Sequence, residues 1–217
     1  MIEPYFFDHI MSTELLFTII AVVFCFLIYF KTKESYDLTK YKGIKYFRDA
    51  FLFLGLSYVL RFLFSPVLLP RITFDLIPPM MFMPFFILPM GYFSTIGIFY
   101  IILSSTWKKF NNRNFLIFGH GAAIALSVVS FIMRSHLILL YLQCTLLVIV
   151  VMLSFVMPDK GKKISQIKLL YILVAILWLI NLFDVDRPGL LPLEMLFKII
   201  SLVVFAVIYH KISKWVK

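Results

Sequence analysis

Three charged side chains stand inside long apolar runs of this sequence: Arg61, Glu194 and Lys198. Glu194 and Lys198 are four residues apart in Pro192-Leu-Glu-Met-Leu-Phe-Lys198. On a helix that spacing puts them one turn apart on one face. An ionised side chain at the centre of a membrane helix costs at least ~2.5–3.5 kcal/mol, so each such charge requires a partner or a purpose. Two cations beside one acid have the chemistry to hold a carboxylate or phosphate, with the acid balancing charge or carrying a proton. The plainer alternative is a local Glu194–Lys198 pair whose lysine reaches outward to the membrane surface.

Arg61 belongs to a polar stripe, Ser57, Arg61 and Ser65 at four-residue spacing with Tyr58 beside it. Side chains on a helix lean toward its N-terminus, which for this segment points Arg61 away from the nearer surface. A protein partner is therefore expected for Arg61, as a clamp on neighbouring helices or as part of a site. Gln143, Trp178 and Asn181 fall at similar depth on two further segments. The candidate ligand-binding set is thus Arg61, Glu194, Lys198, Asn181, Gln143, Trp178 and Ser57. His120 is a candidate proton relay, because imidazole titrates near neutrality. A polar network that only fastens helices together is the competing reading, and such bonds contribute ~0.6 kcal/mol each on average.

Seven apolar stretches position these residues: 15–30, 51–69, 79–105, 115–133, 137–157, 164–183 and 190–209. About 20 helical residues cross a bilayer core. The expected fold is therefore all-α: one domain, 1–217, of seven transmembrane helices. Ser12 or Thr13 is expected to cap the first helix, with Glu14 in its first turn. The third stretch carries Pro84 and Pro89 in its interior. Each removes a backbone hydrogen bond, so kinks are expected there, with the carbonyls of Met80 and Phe85 released to line a cavity or find partners. Gly119, Ala123 and Ser127 at four-residue spacing make a small-residue face suited to close helix packing.

Composition supports the same class. The chain is 62% hydrophobic and 15% charged, where a soluble domain averages about 45–50% and about 25%. The formal net charge of +10 suggests nucleic acid until its distribution is considered. Lys31, Lys33, Lys40, Lys42, Lys45, Arg48, Lys108, Lys109, Arg113, Lys160, Lys162, Lys163, Lys168, Lys211, Lys214 and Lys217 all fall on one side of the seven-helix scheme. Only Arg71, Arg134 and Arg187 fall on the other, which holds Glu3, Asp8, Glu14, Asp75, Asp184 and Asp186. Basic short loops mark the cytoplasm, so the N-terminus is expected outside and the C-terminus inside. The charge is then a topology signal and no nucleic-acid partner is expected. Cys25 and Cys144 lie in opposite halves of the membrane under this scheme, too far apart for a disulfide.

A seven-helix topology with an outer N-terminus is also that of microbial rhodopsins and of the SWEET and KDEL-receptor group. The acid four residues before Lys198 resembles the retinal-binding helix of rhodopsins, but the third segment has no counterion acid beyond Asp75 at its edge. No Pro-Gln dipeptide occurs, so the hallmark of PQ-loop transporters is missing.

The leading expectation is an integral membrane protein of a prokaryotic cell, binding or moving a small anionic or zwitterionic solute through an outer-half polar cavity. A sensor or assembly subunit, engaging a cytoplasmic protein or anionic lipid through its basic inner face, is the second. An enzyme acting on a lipid or quinone is the weakest, because no nucleophile–base pair, paired acids or metal-ligand spacing is present. No cofactor or metal is expected.

Overall fold

In the computed structural model the backbone is described over 4–74, 79–110, 113–133, 136–156, 162–182 and 191–215, and side chains over 13–63, 88–107, 114–133, 139–153, 169–180, 193 and 195–214. These residues form seven α-helices and no strand: α1 Pro4–Thr39, α2 Lys42–Phe74, α3 Pro79–Phe110, α4 Arg113–Ile132, α5 His136–Val156, α6 Lys162–Leu182 and α7 Leu191–Trp215. Among the described residues, four spans are long and apolar enough to cross a bilayer: Thr13–Thr39, Leu88–Trp107, Asn114–Ile132 and Met195–Lys214. The apolar stretches described in α5 and α6 are shorter, Leu139–Leu153 and Leu169–Ile180. The chain is a seven-helix polytopic membrane protein.

The first three helices outrun their apolar stretches. Backbone hydrogen bonding does not end where hydrophobicity does, and α1 begins at Pro4, ten residues before Glu14. Ser12 and Thr13 therefore lie within the helix rather than capping it, and Glu14 is not in its first turn. α3 runs as one helix, as its single apolar stretch predicts, with Pro84 and Pro89 inside it. At the other end α1 stops at Lys40, whose φ of 50° lies in the left-handed region and whose N–H donates to the Tyr36 carbonyl at 2.7 Å. This is the αL form of helix termination. With only Lys40 and Tyr41 between them, α1 and α2 return antiparallel.

α1, α2, α3, α5, α6 and α7 pack side by side in that order, with α7 closing back onto α1, while α4 rests against α3 and α5. Large aromatic side chains fill the middle of this ring. Phe47, Phe51 and Tyr58 of α2, Tyr171 and Trp178 of α6 and Phe205 of α7 are all buried. Phe47 meets Tyr171 with centroids 6.1 Å apart, and Tyr58 meets Phe205 at 6.3 Å. The Trp178 ring lies so close over Gly97 of α3 that a Cβ there would stand 2.9 Å from its Cζ2. At the end of the bundle bearing the α1–α2 turn, the Ser104 hydroxyl donates to the Gly43 carbonyl at 2.7 Å and lies 2.8 Å from the Tyr171 hydroxyl. That clasp joins α2, α3 and α6. The small-residue face of α4 packs as its spacing predicts: Ala123 and Ser127 are fully buried, and Gly119 sits against the Phe99 ring.

Candidate functional site

The interior-facing stripes of α1, α2 and α7 each end in a charge. On α1 the buried residues Thr18, Ala21, Cys25, Ile28 and Thr32 recur at alternating three- and four-residue steps, and the step before Thr18 is Glu14. On α2 the buried series Phe47, Phe51, Leu54 and Tyr58 steps next to Arg61. On α7 the series Ser201, Phe205, Ile208 and Ile212 is preceded by Lys198. Residues at such steps share a helix face. Since α2 runs against α1 and α7, all three charges arrive at the same end of the ring, the one expected to be outer.

They meet there on one carboxylate. Arg61 donates through Nε to Glu14 Oε1 at 2.6 Å, with its Nη2 2.5 Å from the same oxygen. Lys198 Nζ lies 2.5 Å from Glu14 Oε2. The side chains are largely shielded, Lys198 at 11%, Glu14 at 22% and Arg61 at 27% exposure. Taking ions out of water costs several kcal/mol each, which only close pairing offsets. Glu14 supplies that pairing to both cations at once. Its own backbone carbonyl accepts from the Thr18 hydroxyl at 2.8 Å.

The other expected site residues fall into separate groups. Gln143 of α5 is buried and turns to α3, donating to the hydroxyls of Ser94 at 2.7 Å and Thr95 at 2.9 Å. Ser57 also turns to α3, with its hydroxyl 3.5 Å from the Met90 carbonyl. Trp178 is buried over Gly97, and its indole N–H finds no hydrogen-bond partner among the described residues. The side chains of Asn181 and Glu194 lie outside the described residues, so the Glu194–Lys198 pair read from the sequence does too. His120 of α4 stands apart from the charges, between two tyrosine hydroxyls of α3: Tyr92 at 2.8 Å from Nδ1 and Tyr100 at 3.4 Å from Nε2. Among the described residues no group of three or more His, Cys, Asp or Glu is placed to hold a metal ion.

Glu14 is the residue that sequence reasoning missed. A first-turn acid serves the helix dipole at the outer surface; ten residues into α1, Glu14 instead faces the ring. The signal that finds it is the α1 stripe itself, since extending Thr32, Ile28, Cys25, Ala21 and Thr18 by one more step reaches Glu14.

A protein of Archaeoglobus fulgidus described as uncharacterized is 31% identical over 213 residues, covering 94% of this chain and 92% of the relative. The two chains belong to one family. A likeness of that extent takes in the whole helical architecture rather than one shared hairpin. No family model matches the chain, and no solved structure matches it.

Proposed function

We propose that this membrane protein binds a small anionic or zwitterionic solute at the Glu14–Arg61–Lys198 site and moves it across a prokaryotic cell membrane. The observation that carries this reading is one carboxylate shared by two cations on three different helices. In a low-dielectric setting a guanidinium and an ammonium at one level attract a second acid strongly. A carboxylate or phosphate entering from the outer end would compete with Glu14 for Arg61, whose planar fork suits bidentate contact, and for Lys198. Displacing Glu14 from either cation would loosen α1 from α2 or from α7, which links occupancy to helix arrangement. Charged groups that face a bundle interior characteristically mark such pathways. The prokaryotic assignment rests on the archaeal relative.

The test is thermal stabilisation of the purified protein by acetate, glycine, glutamate and inorganic phosphate. At least one is expected to raise the melting midpoint of the wild type at millimolar concentration. Arg61→Gln and Lys198→Gln should lose that rise. If no anion shifts the wild type, and the variants differ only in basal stability, the three charges are a helix clamp and the binding reading falls.

A further inference from the structure

His120 has a setting that the outer charge site does not explain. Its imidazole is hydrogen-bonded on both ring nitrogens, by the Tyr92 hydroxyl at 2.8 Å from Nδ1 and the Tyr100 hydroxyl at 3.4 Å from Nε2. Both tyrosines come from α3, eight residues and so about two turns apart, so they bracket the imidazole along the membrane axis. Phe53 of α2 closes the side, 6.4 Å from the imidazole and 5.0 Å from the Tyr100 ring. Beyond Tyr100, toward the end expected to be inner, stands the Tyr46 ring at 5.9 Å. One turn of α2 from Tyr46, back toward the middle of the bundle, is Asp49, paired to Arg48 at 2.6 Å. Burial, with the charge of Asp49 adding to it, holds the Tyr46 hydroxyl above its ordinary pKa. α5, the other helix packed on α4, has two described titratable residues, Tyr141 and Cys144. Cys144 follows Gln143, which bonds Ser94 and Thr95 of α3, so this thiol-bearing residue stands at a level between Tyr92 and Tyr100.

We propose that His120 is a proton-exchanging residue, passing protons between Tyr100 on its inner side and Tyr92 on its outer side. A tyrosine hydroxyl both donates and accepts, and neutral imidazole does so at different nitrogens. Starting from the tautomer protonated at Nδ1, Nε2 takes the Tyr100 hydroxyl proton while that hydroxyl is reprotonated from the inner side. The imidazolium then gives its Nδ1 proton to Tyr92, whose hydroxyl releases its own proton outward. One proton has entered, one has left, and the ring is in its other tautomer. A ring flip or the reverse transfer resets it. The arrangement stands on these hydrogen bonds alone, so it fails or holds independently of the anion-binding reading.

The experiment is a histidine titration of the full-length protein in detergent micelles, following 15N-labelled imidazoles by NMR, with His120→Gln identifying the His120 signals. His120 is expected to change protonation within the pH range over which the protein stays folded. Its proton exchange should slow at least fivefold in Tyr100→Phe, a substitution that keeps the ring and removes only the hydroxyl. Tyr92→Phe removes the partner of Nδ1 and should change the tautomer balance, seen in the Nδ1 and Nε2 shifts. His120 signals unchanged across that pH range, or exchange unaltered in both tyrosine variants, would overturn the proposal and leave His120 a packed structural residue. Should His120→Gln fold poorly, the two Tyr→Phe variants decide between the same outcomes, because the one imidazole they perturb stands out against His9, His136 and His210.

Discussion

At the scale of single residues, the scarce charge governs the site. Arg61 and Lys198 repel one another, and Glu14 attracts both. An ion pair at 4 Å contributes about 4 kcal/mol at an effective dielectric constant of 20, before desolvation is subtracted. Glu14→Gln therefore removes two attractions and leaves the repulsion. Of the attractions centred on Glu14, Arg61→Gln or Lys198→Gln removes one, and the repulsion with it. Breaking a fully buried pair costs about 3–5 kcal/mol. With 11–27% exposure, Glu14→Gln is expected to cost about 2–4 kcal/mol and each cation variant clearly less. Melting midpoints of the three variants in one detergent check the order, and a Glu14→Gln midpoint equal to or above the cation variants' would refute it. That Arg61 needed a protein partner was legible from its place on an apolar helix and the lean of its side chain. Which acid it takes was not, because Glu14 is 47 residues away. Periodicity identifies a helix face but not the helix that covers it.

At the scale of helices, close approach depends on where glycine stands. Gly97 lets α3 and α6 meet through the Trp178 ring, and an added Cβ would come within 2.9 Å of Cζ2 and 3.4 Å of the Ala50 carbonyl oxygen. The ring is buried and cannot swing away without disturbing the aromatic core. Gly97→Ala is therefore expected to destabilise by about 1–3 kcal/mol, as overpacking does. Gly121 on α4 is the control, since nothing lies within 4 Å of its would-be Cβ. Gly121→Ala should be neutral or stabilising by up to about 1 kcal/mol through helix propensity alone. Equal thermal shifts in the two variants would show that Trp178 yields and that the contact does not matter. The small-residue face of α4 was readable because its pattern is local. The Gly97–Trp178 contact was not, since it joins helices whose neighbourhood no local pattern records. The ends of α1 were missed for a related reason: apolar length marks what the membrane covers, while the backbone continues wherever its hydrogen bonds can be made.

At the scale of the whole molecule, orientation decides which compartment the charge site faces. In the seven-helix scheme, sixteen of the 21 basic residues belong to the end bearing the α1–α2 turn. Each cation moved across a membrane potential costs about 2.3 kcal/mol per 100 mV, and anionic cytoplasmic lipid adds about 1 kcal/mol per basic residue near the surface. Multiplied over that asymmetry, such terms favour one insertion: the α1–α2 turn inside, and Glu14, Arg61 and Lys198 toward the outside. Cysteine labelling in intact and permeabilised cells tests this with an impermeant maleimide. Leu38→Cys lies beside the α1–α2 turn at a position 76% exposed, and should react only after permeabilisation. Arg187→Cys, in the stretch between α6 and α7, should react in intact cells. The native background is low, since Cys25 is buried and Cys144 is half-buried in the middle of α5. The reverse labelling pattern would turn the molecule over. The charge site would then face the cytoplasm, where an anion would be released rather than captured, and the basic cluster would no longer be accounted for by the membrane.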